Sequence, residues 1–452
     1  MVMKIREYIG DSAFFKTLLK IAVPMALANL LSSCMSIVDS VMVSSIGMVT
    51  AVGNAGNVIM LNDGILWGIV SGISIFTAQF YGAGQYENMS KCFGLSTGLV
   101  FLFSVFWTVV VGLKGEEILL FYLPDPEVVA CSLIYLKIIV LSFFPAWFNF
   151  CVITMFRSMH ETKFPFYVST VNALLNILFN ALFIYVFHMG IAGAALGTLV
   201  ADTIISLFLI YVIKRERPVF YFGVKHMFHF SASFVKPIVL KTMPIVLNET
   251  LFGFGSSLFA KAYGLLGKNA MDAYYISQQA FNLFTFAIWG FGGAVSIILG
   301  STLGSGDLEE AKRQSRYQIG AAFVLGSFLM VIMILFTKPF LLLYRIESTE
   351  VYSLTKGLMY VLSVKVFLRT FNYLLMSTLK AGGDSKILNL LDSGIMYGVG
   401  VTLSFASVYL GITSIVTVLA IAQAEQVVRL VFAVLRYRKG VWCKNLTTLV
   451  KE

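Results

Sequence analysis

Twelve apolar runs divide this sequence, near residues 16–46, 53–80, 92–113, 127–155, 164–187, 190–213, 237–266, 272–303, 316–337, 350–379, 387–409 and 412–435. A helix needs about 20 apolar residues to cross the hydrocarbon of a bilayer, and every run reaches that length. The runs are continuous, whereas the strands of a membrane barrel alternate over about 10 residues. The expected fold class is therefore all-α and integral to the membrane, with twelve transmembrane helices. With 58% hydrophobic and 12% charged residues, the chain has too little polar surface for a soluble protein. That excludes a cytosolic enzyme. It also excludes a nucleic-acid partner, despite a net charge of +10.

The basic residues report topology. The N-terminus, the even-numbered loops and the C-terminus hold 23 Lys and Arg, from Lys4 and Arg6 through the 214–241 connection to Lys451. The odd-numbered loops hold 4, namely Lys114, Lys268, Lys338 and Arg345. By the positive-inside rule both termini are cytoplasmic, and acidic Glu116, Glu117, Asp125 and Glu127 fall outside. A multi-pass protein of the cell membrane is expected. The five cysteines lie mostly inside apolar runs, with no spacing that suggests a metal.

The chain repeats itself. WGIVSGISIFTAQFYGAG (67–84) aligns with WGFGGAVSIILGSTLGSG (289–306) at an offset of 222, and Pro24 matches Pro244 at 220. FNFCVITMFRSMHETK (148–163) aligns with FNYLLMSTLKAGGDSK (371–386) at 223. Near-constant offsets indicate two homologous six-helix lobes, 1–218 and 237–452, joined by a cytoplasmic linker at 219–236. Each lobe has an even number of helices. The two therefore share an orientation and are related by an axis along the membrane normal.

Ionisable residues inside the membrane are costly, so each is a functional candidate. Asp39 in helix 1 and Glu249 in helix 7 both follow a proline in a helix that can bend. Such a carboxylate can exchange H⁺ or coordinate Na⁺ with amide and hydroxyl oxygens. Asn172, Asn176 and Asn180 stand at i, i+4 and i+8, on one face of helix 5, with Thr198 in helix 6 and Asn149 in helix 4. That stripe either surrounds an ion or ties helices together by hydrogen bonds. Glu425 and Arg429, at i and i+4, read as a structural ion pair, and Asp63 and Asp392 as acids near solvated helix ends. Asp202 is a further intramembrane acid.

At these residues the chain resembles the multidrug and toxic compound extrusion (MATE) transporters. The resemblance spans nearly the whole chain and rests on PMALANLLSSCMSIVDSVMVSSIG (24–47), YGAGQYENMSK (81–91) and its echo LGSGDLEEAKR (303–313). RSMHETK (157–163), KAGGDSK (380–386) and NILFNALFIYVFHMGIAGAALGT (176–198) complete it. It implies two six-helix lobes forming a V, alternating access, and export driven by Na⁺ or H⁺. Asp39 resembles the helix-1 acid of the amino-terminal cation site, with Asn176, Asn180 and Thr198 at its other ligand positions. Glu249 resembles the helix-7 acid of the carboxy-terminal lobe. The sequence departs from the family at two places. Asn180 stands where the family often has Asp, which leaves one acid and makes a proton cycle relatively favoured over Na⁺. Helix 10 carries Lys365 and Arg369 where cation exporters often place an acid.

The expected function is secondary active export of amphipathic organic compounds in exchange for H⁺ or Na⁺. No cofactor other than the coupling ion is expected, and the protein should act as a monomer among membrane lipids. Asn149, Asn172, Lys365, Arg369 and Asn372 are candidates for the substrate cavity. Lys365 and Arg369 either pair with carboxylates such as Glu249 or favour an anionic group. The second option keeps open a flippase for lipid-linked oligosaccharide or another anionic lipid. An enzyme would need a clustered nucleophile, base or metal site, and none stands out.

Overall fold

The computed structural model describes residues 7–122, 126–344 and 348–449. Of the loop and terminal charges named above, Lys4, Arg6, Asp125, Arg345 and Lys451 lie outside the described residues. Among the described residues twelve helices are long and apolar enough to cross a membrane. The first six are α1 (Ser12–Ser45), α2 (Val49–Gly82), α3 (Tyr86–Tyr122), α4 (Pro126–Ser158), α5 (Lys163–Val186) and α6 (Gly190–Glu216). The second six are α7 (Ala232–Gly264), α8 (Lys268–Gly304), α9 (Leu308–Tyr344), α10 (Thr349–Ala381), α11 (Ser385–Tyr409) and α12 (Ile415–Arg438). Several extend beyond their apolar runs because charged turns continue the helix. In α9 the first turns carry Glu309–Lys312 at 2.6 Å and Glu310–Arg313, both at i,i+3. Lipid demands this architecture, since hydrocarbon offers no partner for a free backbone N–H or C=O. One face of α3, with Leu102, Val105, Phe106, Val109 and Leu113, is left exposed, as a lipid-facing surface should be.

The helices fall into two compact units. The carboxy-terminal unit comprises Met1–Ala26 and Leu247–Leu446, and the amino-terminal unit Leu27–Val246 and Thr447–Glu452. This partition differs from a cut at 219–236 by exchanging the first halves of α1 and α7. Small residues make the exchange possible. A Cβ at Gly290 of α8 would press on the backbone of Ala26 at 2.6 Å, and one at Gly68 of α2 would press on Val246 Cα at 2.5 Å. The two glycines are repeat mates, as are their partners, so each unit receives the other repeat's leading segment by the same close packing. Pro24 and Pro244 each lie two residues before the switch, where a missing N–H lets a helix bend.

Four spanning helices are irregular, α12 among them, where a turn at Gln423 parts Ile415–Ala422 from Ala424–Arg438. In α4 a 3₁₀ stretch at Val140–Ser142 precedes Pro145, whose ring excludes a regular bond to residue 141. The end of α5 (Leu182–Val186) and two parts of α11 (Leu390–Gly394 and Met396–Val401) are π-helical. Such turns re-aim carbonyls and are frequent at functional sites.

Each repeat is closed by an anchored aromatic. Phe220, just after α6, is fully buried between Phe93 and Phe156, at ring distances of 5.4 and 5.5 Å. Trp442, its mate at offset 222, is 2% exposed and stacks on Tyr437 at 5.7 Å. Its carbonyl faces Gly382, where any Cβ would collide with it. Trp442→Ala is expected to cost about 3–5 kcal/mol, read as a lower melting temperature in detergent. Leu207→Ala, on an exposed part of α6, should leave that temperature unchanged.

Candidate functional site

In the amino-terminal unit four of the residues singled out above form one hydrogen-bonded chain. Asn180 Nδ2 donates to Asp39 Oδ1 at 2.9 Å and to Asn176 Oδ1 at 3.0 Å. Asn176 Nδ2 donates to Thr198 Oγ1 at 3.0 Å, and Thr198 donates to the Ala194 carbonyl at 3.3 Å. The helical period puts Asn176 and Asn180 on one face of α5, and α1 and α6 bring Asp39 and Thr198 to it. Asn176 and Asn180 are 1% and 3% exposed, while Asp39 is half-buried and so reachable from outside the core. Asn180 Oδ1 is buried without a hydrogen-bond partner. It rests against Gly197, the residue before Thr198, where a Cβ would overlap it. The chain thus combines one carboxylate, two amides and a hydroxyl, the donor set that a proton or a small hard cation requires.

Asn149 and Asn172 belong to a neighbouring network around Asp202. Asn172 Nδ2 donates to Asp202 Oδ1 at 3.0 Å, and Asn149 Nδ2 to the Asp202 carbonyl at 3.0 Å. Ser206 Oγ donates to Asn149 Oδ1 at 2.8 Å. Asn149 is 4% exposed, so its amide ties α4 to α6 and presents little to a ligand. Asn372, its repeat mate, does the same in the other unit. It is 1% exposed and donates to the carbonyl and side-chain oxygen of Gln426 on α12, at 2.9 and 3.0 Å.

The carboxy-terminal unit holds a different arrangement, built on charge. Arg429, 1% exposed, lies 3.1 Å from Asp392 Oδ1 and 3.9 Å from Glu425 Oε2. It also donates to the carbonyls of Leu391 and Asp392 at 3.1 and 3.0 Å, both on the first π-helical part of α11. Its main partner is therefore Asp392, and Glu425 at i−4 is secondary. Asp392 is not at a solvated helix end: its side chain is 19% exposed and also accepts from Asn248 Nδ2 at 3.2 Å. Arg369 is 3.8 Å from the same carboxylate and lies over the Phe252 ring at 5.4 Å. Lys365 lies over Phe281 at 5.0 Å. Glu249 has Lys380, Asp392 and Arg369 as its charged neighbours. The two candidate cations of α10 are thus held by rings and by Asp392 rather than by a direct pair with Glu249.

The repeats share a device with the roles exchanged. In one unit an acid of α1 accepts from an amide of α5. In the other an amide of α7, Asn248, donates to an acid of α11. Local spacing could not reveal Asp392 as the hub, because Arg429 lies 37 residues away and a nearer acid sits at i−4. Asp63 likewise lies away from any helix end. It is an interior residue of α2 whose Oδ1 accepts from Trp147 Nε1 at 3.0 Å.

Comparison with known proteins agrees with this architecture. The MatE family model matches residues 24–182 and 244–406, one stretch in each repeat and together more than half of the chain. The chain is 25% identical over 393 residues to the probable multidrug resistance protein YoeA of Bacillus subtilis (strain 168), covering 85% of this chain and 84% of that protein. It is 26% identical over 307 residues to multidrug and toxin extrusion protein 1 of Homo sapiens, covering 66% and 53%. Among solved structures, a point mutant of the Vibrio cholerae MATE transporter VcmN superposes with a TM-score of 0.87 at 18% identity, covering 96% of this chain and 98% of that one. A MOP superfamily transporter from Pyrococcus furiosus gives 0.86 at 20%, covering 97% and 98%. With the family model matched in both repeats and the twelve-helix fold shared, the chain belongs to the MatE family of membrane transporters.

Proposed function

We propose that the protein is a secondary active exporter of amphipathic organic compounds, exchanging them for H⁺ by alternating access. The observation that carries this reading is the chain Asp39–Asn180–Asn176–Thr198, a half-buried acid at one end of a buried amide network. Asp39 is the single acid in that chain, so a cation bound there would meet only one formal negative charge. That favours a proton over Na⁺ as the coupling ion. Binding the ion must favour one access state over the other, and substrate must do the opposite, for the two fluxes to couple. The names of the bacterial and human relatives support export of drug-like compounds. Location in the plasma membrane with both termini cytoplasmic, and action as a monomer, belong to the same reading.

The charged cluster of the carboxy-terminal unit carries its own counter-ions in Arg369 and Arg429, so ion coupling is assigned to the amino-terminal unit. Arg369 shares Asp392, which weakens the case for a basic cavity and hence for a lipid-linked oligosaccharide flippase. The test is efflux from proteoliposomes under imposed pH or Na⁺ gradients, with cationic and anionic dyes side by side. A pH gradient alone should drive efflux, and Asp39→Asn should reduce it to the level of empty liposomes. The variant side chain can still accept the Asn180 N–H, so the fold should persist. Strict dependence on Na⁺, or full efflux by Asp39→Asn, would sink the reading.

A further inference from the structure

One acid in the amino-terminal unit is used by none of the chemistry above. Asp63 lies in the interior of α2, far from either helix end. Its Oδ1 accepts two N–H groups, from Trp147 Nε1 at 3.0 Å and Asn62 Nδ2 at 3.1 Å. Its Oδ2 accepts none, and no basic side chain pairs with it among the described residues.

Trp147 joins Asp63 to an aromatic group. Trp67 stands at i+4 on the same face of α2, and α4 presents Trp147 and Phe150 at i,i+3. Trp147 meets Phe150 edge to face at 5.3 Å, and Phe150 stacks on Trp67 at 4.9 Å and 29°. Trp67 is 42% exposed and Asp63 is half-buried, so the group is open on one side. An ionisable residue at this depth faces a bundle interior or a water-filled path rather than lipid. A carboxylate without a counter-ion, one helical turn from an exposed indole, is the chemistry that recognises an organic ammonium or phosphonium, through charge and ring quadrupole together.

We infer that Asp63, with Trp67, Trp147 and Phe150, forms a binding site for the charged centre of a lipophilic organic cation, separate from the ion site at Asp39. The Trp147 N–H fixes Oδ1 and leaves Oδ2 for the ligand. The two hydrogen-bond networks share no residue. Substrate charge and coupling ion therefore need not compete for one carboxylate. This assignment rests on the exporter reading for its purpose but not for its test.

The test is equilibrium binding to the full-length protein in detergent, using tetraphenylphosphonium and its anionic isostere tetraphenylborate. The wild type should bind the cation in preference to the anion. Asp63→Asn should raise the Kd for the cation at least about tenfold and leave that for the anion unchanged. Trp67→Leu, at an exposed position and so tolerated by the fold, should weaken the cation several-fold. An unchanged cation Kd in Asp63→Asn and Trp67→Leu overturns the site, as does equal weakening of both probes or no preference in the wild type. Cation binding without gradient-driven efflux would overturn the exporter reading and leave the site standing. Efflux with an unaltered Kd in both variants would do the reverse.

Discussion

Arg429→Met should be among the most destabilising single substitutions in the protein, at about 3–5 kcal/mol. The guanidinium is 1% exposed and holds Asp392, Glu425 and two carbonyls of α11. Removing it leaves two interior carboxylates without their cation, and the cost of a buried unpaired charge exceeds what the pair itself contributes. Arg369, at 3.8 Å from Asp392, can take over only part of the task. The measurement is thermal unfolding in detergent. A second variant, Arg429→Met with Asp392→Asn, should recover part of the loss because it removes one of the stranded charges. Lys312→Ala supplies the contrast: its pair with Glu309 is 47% and 84% exposed, and such pairs are worth about 0–1 kcal/mol. If Arg429→Met melts with the wild type, the charged cluster is not what joins α11 to α12.

Gly197→Ala should be the most damaging way to disturb the Asp39 chain without touching its polar atoms. A Cβ there would overlap Asn180 Oδ1 and stand 2.7 Å from Asn180 N and 3.0 Å from its Cα. Turning the amide away relieves only the first contact, so α5 and α6 must separate. Overpacking of this kind costs about 1–3 kcal/mol. The functional loss should be larger than the stability loss, because the bonds to Asp39 and Asn176 radiate from the displaced residue. Gly53→Ala in α2, where a Cβ meets nothing within 4 Å, should be neutral or slightly stabilising. Efflux and melting temperature measured on both variants check this. Normal efflux by Gly197→Ala would mean that the chain tolerates a shift of α5.

How far the site could be read from the chain depended on the distance over which its geometry is set. The amide stripe of α5 needs only the 3.6-residue period, so Asn172, Asn176 and Asn180 were visible as one face. That Asp39 meets Asn180 across 141 residues was suggested by resemblance to a transporter family and follows physically only from packing. Period gave the pair of Arg429 with Glu425 at i−4, present at 3.9 Å, but could not give the nearer Asp392 at 3.1 Å. The π-helical turn of α11 rotates Asp392 and its carbonyls toward α12, and no local pattern announces such a turn. Trp147 and Asp63, 84 residues apart, were separated in the same way. Val219-Phe220 and Val441-Trp442 stand at the repeat offset of 222, which marks both post-helical segments as anchored rather than loose.

Run length and composition alone dictated twelve helices in a membrane. Hydrocarbon accepts no unpaired backbone, and only a helix satisfies every peptide group within one segment. Constant offsets likewise dictated two repeats, because homologous sequence folds alike. Tertiary structure decided the pairing of charges and the assignment of half-helices to units. Those depend on helix rotation and close approach at glycines such as Gly68, Gly197 and Gly290, where a single methyl group would move a neighbouring backbone. Inside a membrane each ionisable residue must find a partner or a watery face. Which of the two it finds is settled across helices, and nothing within one helix encodes it.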